Sequence, residues 1–275
     1  MDESLNIGKQ IVEQIFDGAA ESYNRVGPSI FTQFGERLIA YMSLKPGMSV
    51  LDVATGTGAA LLPAARQIGR EGHVTGIDLS GAILKQAERN ARAAGLTNVT
   101  LRKMDAENLD FPDRTFDAVI CAFAIFLFPD VNAALREISR ICKPGACLSV
   151  TVFNKTIELF APAFGLFSQT CAAYKIHILQ TTHHVAYAPE EIETLLKQSG
   201  FHSIKMKVEA NDIVYAKVDD WWEFLLMGAA RATIMGMDEK VRARFKEDYF
   251  ARLRPLFRQD GLHVSMPVVY VVAQQ

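Results

Sequence analysis

The chain has 275 residues, 49% hydrophobic and 22% charged, which excludes a disordered tail, a collagen-like repeat and a disulfide miniprotein. Lysine and arginine number 29 against 31 acidic residues, a net charge of −2 with no basic block, so the expected partner is a small molecule and not nucleic acid. The apolar run from Ala118 to Phe128 stops at Pro129, well short of the about 20 residues that a membrane span needs.

The start, Met1-Asp2-Glu3, reverses the basic-then-apolar order of a signal peptide, which places the expected chain in the cytoplasm. Residues 1–47 are expected to form a helical cap. Met48 to Val53 then reads as a strand followed by a helix to Gln67, and His73 to Ile77 as a strand followed by a helix to Ala94. Val99 to Lys103 and Phe116 to Cys121 read as strands, with a helix to Cys142 and a strand from Ala146 to Phe153. Ser80 and Asp130 are predicted N-caps, Gly95 ends one helix and Lys143-Pro144-Gly145 stops another. Strands alternating with helices imply an α/β fold, a doubly wound and mostly parallel sheet covered on both faces.

Two insertions interrupt the alternation, residues 154–188 and 210–262, the second holding Trp221-Trp222 and a predicted helix from Asp238 to Arg254. Between and after them come a helix (Pro189 to Ser199), a strand (Ser203 to Val208) and a last strand (Val264 to Val272), these two strands pairing antiparallel at the sheet edge. Both insertions would then leave the carboxyl end of the sheet, where open α/β sheets bind ligands, and serve as lids of a single domain, 1–275. Cys121, Cys142, Cys147 and Cys171 lack paired spacing and read as reduced core thiols.

The strongest chemical signal is Val50-Leu51-Asp52-Val53-Ala54-Thr55-Gly56-Thr57-Gly58, a strand running into a glycine turn and then a helix, whose amino terminus favours an anion. Asp78 follows directly after the second strand, about 20 residues beyond Gly58, where an acid accepts from ribose hydroxyls. Leu61 occupies the sixth position of G-x-G-x-x-G and Asp52 would oppose a pyrophosphate, so NAD and FAD are disfavoured. An upstream acid suits a ligand with an ammonium group, such as S-adenosylmethionine.

On these residues the sequence resembles the class I S-adenosylmethionine-dependent methyltransferases, with a Rossmann-like fold and an antiparallel last strand. The resemblance implies that Asp52, Ala54, Gly56 and Gly58 surround the methionine moiety, and that Asp78 binds the ribose with Leu79 and Ile83 beside it and the adenine. It further implies that Met104-Asp105-Ala106 clamps the adenine, Asp105 accepting from the exocyclic amine. Cys121, Ala122 and Phe123 would lie beneath the sulfonium, and Tyr23 would close over the cofactor. No metal is expected, the strand-end carboxylates being taken by the cofactor.

Phe111-Pro112-Asp113 and Phe128-Pro129-Asp130 are most similar to the ubiquinone/menaquinone C-methyltransferases and their small-molecule relatives, although those usually carry Arg-Asn where this chain has Phe126-Leu127. The expected reaction is methyl transfer to a carbon or oxygen of an apolar small molecule, a specialised metabolite or an isoprenoid or quinone-like compound. A homodimer is compatible with this reading. The competing reading is a cofactor-binding protein that no longer methylates, acting as a scaffold or as a cyclase or rearrangement catalyst. Candidate bases are His184 and His183 beside Tyr187, then His263 and His177, with Glu158 behind them.

Overall fold

A computed structural model describes residues 3–23, 27–178, 186–228 and 230–275. Helices α1 (Glu3–Ala19) and α2 (Ile30–Tyr41) precede the alternating unit of β1 (Ser49–Val53), α3 (Leu61–Ile68), β2 (His73–Asp78), α4 (Gly81–Ala93), β3 (Val99–Lys103), β4 (Phe116–Ala122), α5 (Val131–Ile141) and β5 (Cys142–Asn154). Next come α6 (Ala163–Ala173), β6 (Ala186–Tyr187), α7 (Pro189–Gln198) and β7 (His202–Glu209). The second insertion holds β8 (Asp212–Tyr215), α8 (Val218–Met227), α9 (Ala230–Met235), α10 (Glu239–Leu253), β9 (Phe257–Arg258) and β10 (Gly261–Ser265), and β11 (Val268–Gln274) follows it.

The helix starts are set by local chemistry. Ser80 accepts from the Ile83 amide at 3.1 Å and Asp130 from the Ala133 amide at 2.9 Å, each satisfying an amide that the first turn leaves without an intrahelical partner. Gly95, at φ 66°, ends α4 in the left-handed region that a side chain disfavours. On α3, Leu61, Ala64, Ala65 and Ile68 form one buried stripe against the sheet.

The main sheet runs β3-β2-β1-β4-β5-β11-β7. Strands β1 to β5 pair in parallel, and β11 is antiparallel to both β5 and β7. Successive side chains feed opposite cores: Ala118 and Ile120 of β4 pack with α2 and α3, Val119 and Cys121 with α5 and α7. Chain direction reverses its progress across the sheet between β1 and β4, which opens a crevice at their carboxyl ends.

Two boundaries differ from expectation. The predicted strand Val264 to Val272 is two strands: Val264 pairs with Ile213 in a small β8-β10-β9 sheet, and Val268 pairs with Phe153 of β5. Pro267, which has no amide to donate, marks the crossing between the sheets. Strand β5 starts at Cys142, opposite Phe116, and absorbs Pro144 at a register shift. As expected, β7 and β11 pair antiparallel at one edge of the sheet, β7 outermost and β11 next to β5.

Phe153 and Glu209, at the ends of β5 and β7, both face Val268, so the two insertions leave the same sheet edge side by side. They are joined there. Phe245 and Tyr249 of α10 pack on Phe167 of α6, each large apolar side chain contributing about 1.5–3 kcal/mol on burial. Trp221 Nε1 donates to Tyr249 Oη at 2.6 Å, and Tyr249 Oη donates to the Ala163 carbonyl at 3.0 Å. Trp221 and Trp222 are thus buried packing groups of the insertions. Among the described residues no helix is long and apolar enough to cross a membrane.

Candidate active site

The turn after β1 is built from its own backbone. The Thr55 amide donates to the Ile77 carbonyl and the Gly58 amide to the Thr55 carbonyl, both at 2.9 Å, while Gly56 at φ 56° and Gly58 at φ 91° take conformations that favour glycine. Ala54 and Phe123, at φ 53° each, also sit in the left-handed region, just past the ends of the paired strands β1 and β4. Such strain, roughly 1–3 kcal/mol per residue, concentrates at functional sites.

These elements border a cleft of about 690 Å³, its open mouth included. Ala54, Gly56, Asp78, Leu79, Ile83, Asp105 and Ala106 line it from the sheet side and Tyr23 from the amino-terminal side, all foreseen in the sequence. Lys9, Val12 and Phe16 of α1, Glu107 after β3, and Leu127 to Pro129 after β4 also line it. Those on α1 were missed, although spacings of three and four put them on one helical face.

Asp78 takes the Gly56 amide on one oxygen and the Ser80 amide on the other, at 2.9 Å each. The Leu79 amide also acts on it, and a carboxylate has about four acceptor sites, so capacity remains for a ligand. Burial lifts its carboxyl to about 6 against those backbone bonds. Asp52 is 1% exposed and sits behind the turn, accepting from Thr55 Oγ1 at 2.6 Å. Burial takes it up to about 7, and the Asp78 charge adds to the rise. Tyr23 is stacked on Phe31, and burial beside Asp78 pushes its hydroxyl up, so it stays protonated at neutral pH. Asp105 is bound by Lys9 Nζ at 2.7 Å, and Lys9 also reaches Glu107 at 2.5 Å.

The other expected residues stand elsewhere in the fold. Asp52, Gly58 and Cys121 do not line the cleft. Cys121 points into the α5 core, and by the two-residue strand period its neighbour Ala122 is the one that faces the cleft. A Cβ on Gly58 would meet Leu62 and Leu61 of α3. His263 is on β10, with Nδ1 2.6 Å from Asp212 and Nε2 3.0 Å from Asp260; these hydrogen bonds raise its pKa and occupy both nitrogens, which removes it as a base. His177 and Glu158 are exposed, and His183 and His184 lie outside the described residues.

The donor set fits an adenosyl ligand with a cationic tail. Two buried carboxylates with raised pKa gain from a nearby ammonium, Asp78 keeps acceptor capacity at the cleft, and Gly56, at φ 56°, brings bare backbone to the cleft wall. Fold and site together define a nucleoside-cofactor cleft at the crevice of a Rossmann-like sheet.

Residues 50–145 match the family described as methyltransferase domain. The chain is 37% identical over 156 residues to aklanonic acid methyltransferase DauC of Streptomyces sp. (strain C5), spanning 56% of this chain and 71% of that protein. It is 34% identical over 172 residues to the demethylmenaquinone methyltransferase of Listeria welshimeri, spanning 57% and 73%. Among solved structures, the [4+2]-cyclase SpnF shares the fold with a TM-score of 0.56 at 20% identity, over 89% of this chain and 81% of that one. The chain belongs to the S-adenosylmethionine-dependent methyltransferases.

Proposed function

We propose that the protein transfers the methyl group of S-adenosylmethionine to a carbon or oxygen of an apolar, ring-bearing small molecule. One observation carries this reading. Phe31, Phe123, Phe153, Phe160 and Phe224 form a closed circuit of ring contacts, with centroids 4.7 to 6.4 Å apart. The rings come from the amino-terminal segment, two strand ends and both insertions, and Phe123 also lines the cofactor cleft. An apolar acceptor seated among these rings would lie next to the cleft and away from water.

Bound S-adenosylmethionine supplies an electrophilic methyl group on a sulfonium. Asp78 would take the ribose hydroxyls, Asp105 the adenine amine, and Asp52 would act on the ammonium by its charge from behind the turn. Tyr23 and the aromatic circuit exclude water, and the rings orient the acceptor toward the methyl group, so positioning provides most of the catalysis. We assign removal of the acceptor proton to His184, with His183 beside it. His184→Ala should cut turnover by about 10²- to 10⁴-fold while S-adenosylhomocysteine affinity holds.

The relatives named for aklanonic acid and demethylmenaquinone support a small-molecule acceptor. The test is incubation with methyl-labelled S-adenosylmethionine and a panel of polycyclic phenols, quinols and carboxylic acids, followed by counting label in the organic phase. Transfer to a ring-bearing acceptor, weakened in Phe123→Ala through a higher KM, is expected. Binding of S-adenosylhomocysteine with no transfer to any member would favour the non-methylating reading, whose fold precedent is the cyclase.

A further inference from the structure

Helix α1 carries Lys9, Glu13 and Asp17 at steps of four residues, on one face. Each meets a different part of the sheet's carboxyl edge. Lys9 Nζ lies 2.7 Å from Asp105 and 2.5 Å from Glu107, both after β3. Glu13 lies 2.5 Å from Lys103, the last residue of β3. Asp17 Oδ1 accepts from Ser80 Oγ at 2.5 Å and from the Ala82 amide at 3.3 Å, at the amino terminus of α4. Between these fastenings, Val12 and Phe16 of the same helix line the cleft.

The order of charges fixes where the helix sits. Lys9 faces two acids, whereas Glu13 and Asp17 face a lysine and the positive end of a helix dipole. Sliding α1 by one turn would set Glu13 against Asp105 and Glu107, like against like. Any one exposed pair contributes little, but three held on one rigid helix must part together, as in multivalent binding.

We propose that Lys9, Glu13 and Asp17 form an ionic latch that sets the rate of cofactor exchange, Lys9 being the positioning residue that holds Asp105 for the adenosyl group. This rests on the cofactor assignment of the cleft. Salt reaches the exposed Glu13–Lys103 pair most, Lys103 being 57% accessible, and the more enclosed Lys9 pairs, at 14%, less; the screening length is about 10 Å at 0.1 M. Exchange therefore quickens with ionic strength.

The experiment follows release of pre-bound radiolabelled S-adenosylhomocysteine from the full chain, chased with excess unlabelled ligand at low and high salt. Lys9→Met should release about tenfold faster at low salt and show a shallower salt dependence. Lys9→Arg should restore both. Lys103→Met, at a more exposed site, should shift both in the same direction and serves if Lys9→Met fails to fold by circular dichroism. Val12→Ala should speed release equally at every salt concentration. Wild-type release and salt slope in the folded lysine variants would overturn the latch, and so would faster release with an unchanged slope, which would mean that apolar packing alone holds α1. A wild-type chain that binds no S-adenosylhomocysteine would instead overturn the cofactor assignment itself.

Discussion

Asp78 shapes the turn and faces the ligand with the same carboxylate, since the Gly56 and Ser80 amides already use it. Asp78→Ala should therefore weaken S-adenosylhomocysteine by at least about 1.5–3 kcal/mol, one charged hydrogen bond, and also lower the melting temperature. Calorimetry showing unchanged affinity would detach Asp78 from the ribose. Tyr215 is the opposite case: among the described residues its buried hydroxyl has no hydrogen-bond partner, and rings of Trp221 and Phe224 pack beside it. Tyr215→Phe removes only that oxygen, and urea titration should show stability raised by about 1 kcal/mol. Asp78 and Gly56 were legible because a strand, a glycine turn and an acid recur at a fixed separation. Lys9 and Glu107 were not, because their meeting depends on the docking of a helix 96 residues from Asp105 in sequence. Of Cys121, Ala122 and Phe123, expected together, the last two line the cleft while Cys121 packs on the opposite core, because neighbours on a strand face opposite ways.

Helix α2 braces the cofactor turn at a place with no room for a side chain. A Cβ on Gly35 would lie 2.3 Å from the Ala59 carbonyl oxygen, so Gly35→Ala must lift α2 from the segment entering α3. Overpacking of this kind costs about 1–3 kcal/mol, and the variant should lose that stability in denaturant together with cofactor affinity. Affinity retained at wild-type level would show that α2 does not support the turn. At this scale the sequence was read well where the signal is local. Ser80, Asp130 and Asp238 cap the helices they were expected to start, each bonding within three residues. The β8-β10-β9 sheet escaped because Asp212 and Ser265 pair across a long insertion, and no short-range pattern marks such a register.

Across the whole molecule, the two buried carboxylates link pH to stability and to binding. Asp52 and Asp78 are raised by burial to about 7 and about 6, so between pH 4 and 7 the native chain holds protons that the unfolded chain has released. The unfolded state then binds fewer protons, and the contribution of these groups to stability falls as pH rises through that window. A ligand ammonium reverses the penalty by favouring the charged forms. S-adenosylhomocysteine should raise the melting temperature more at about pH 8 than at about pH 5.5, and equal shifts would separate these carboxylates from the ligand. The placement of β11 acts on another timescale. As a nascent chain leaves the ribosome, β5 emerges with one flank unpaired, and β7 later with its partner also missing, until Gln274 has been made. Sheet closure thus waits on contacts remote in sequence, which slows folding and leaves two bare strand edges open to pairing with other chains. The strand that completes the fold also decides how long the newborn protein needs shelter.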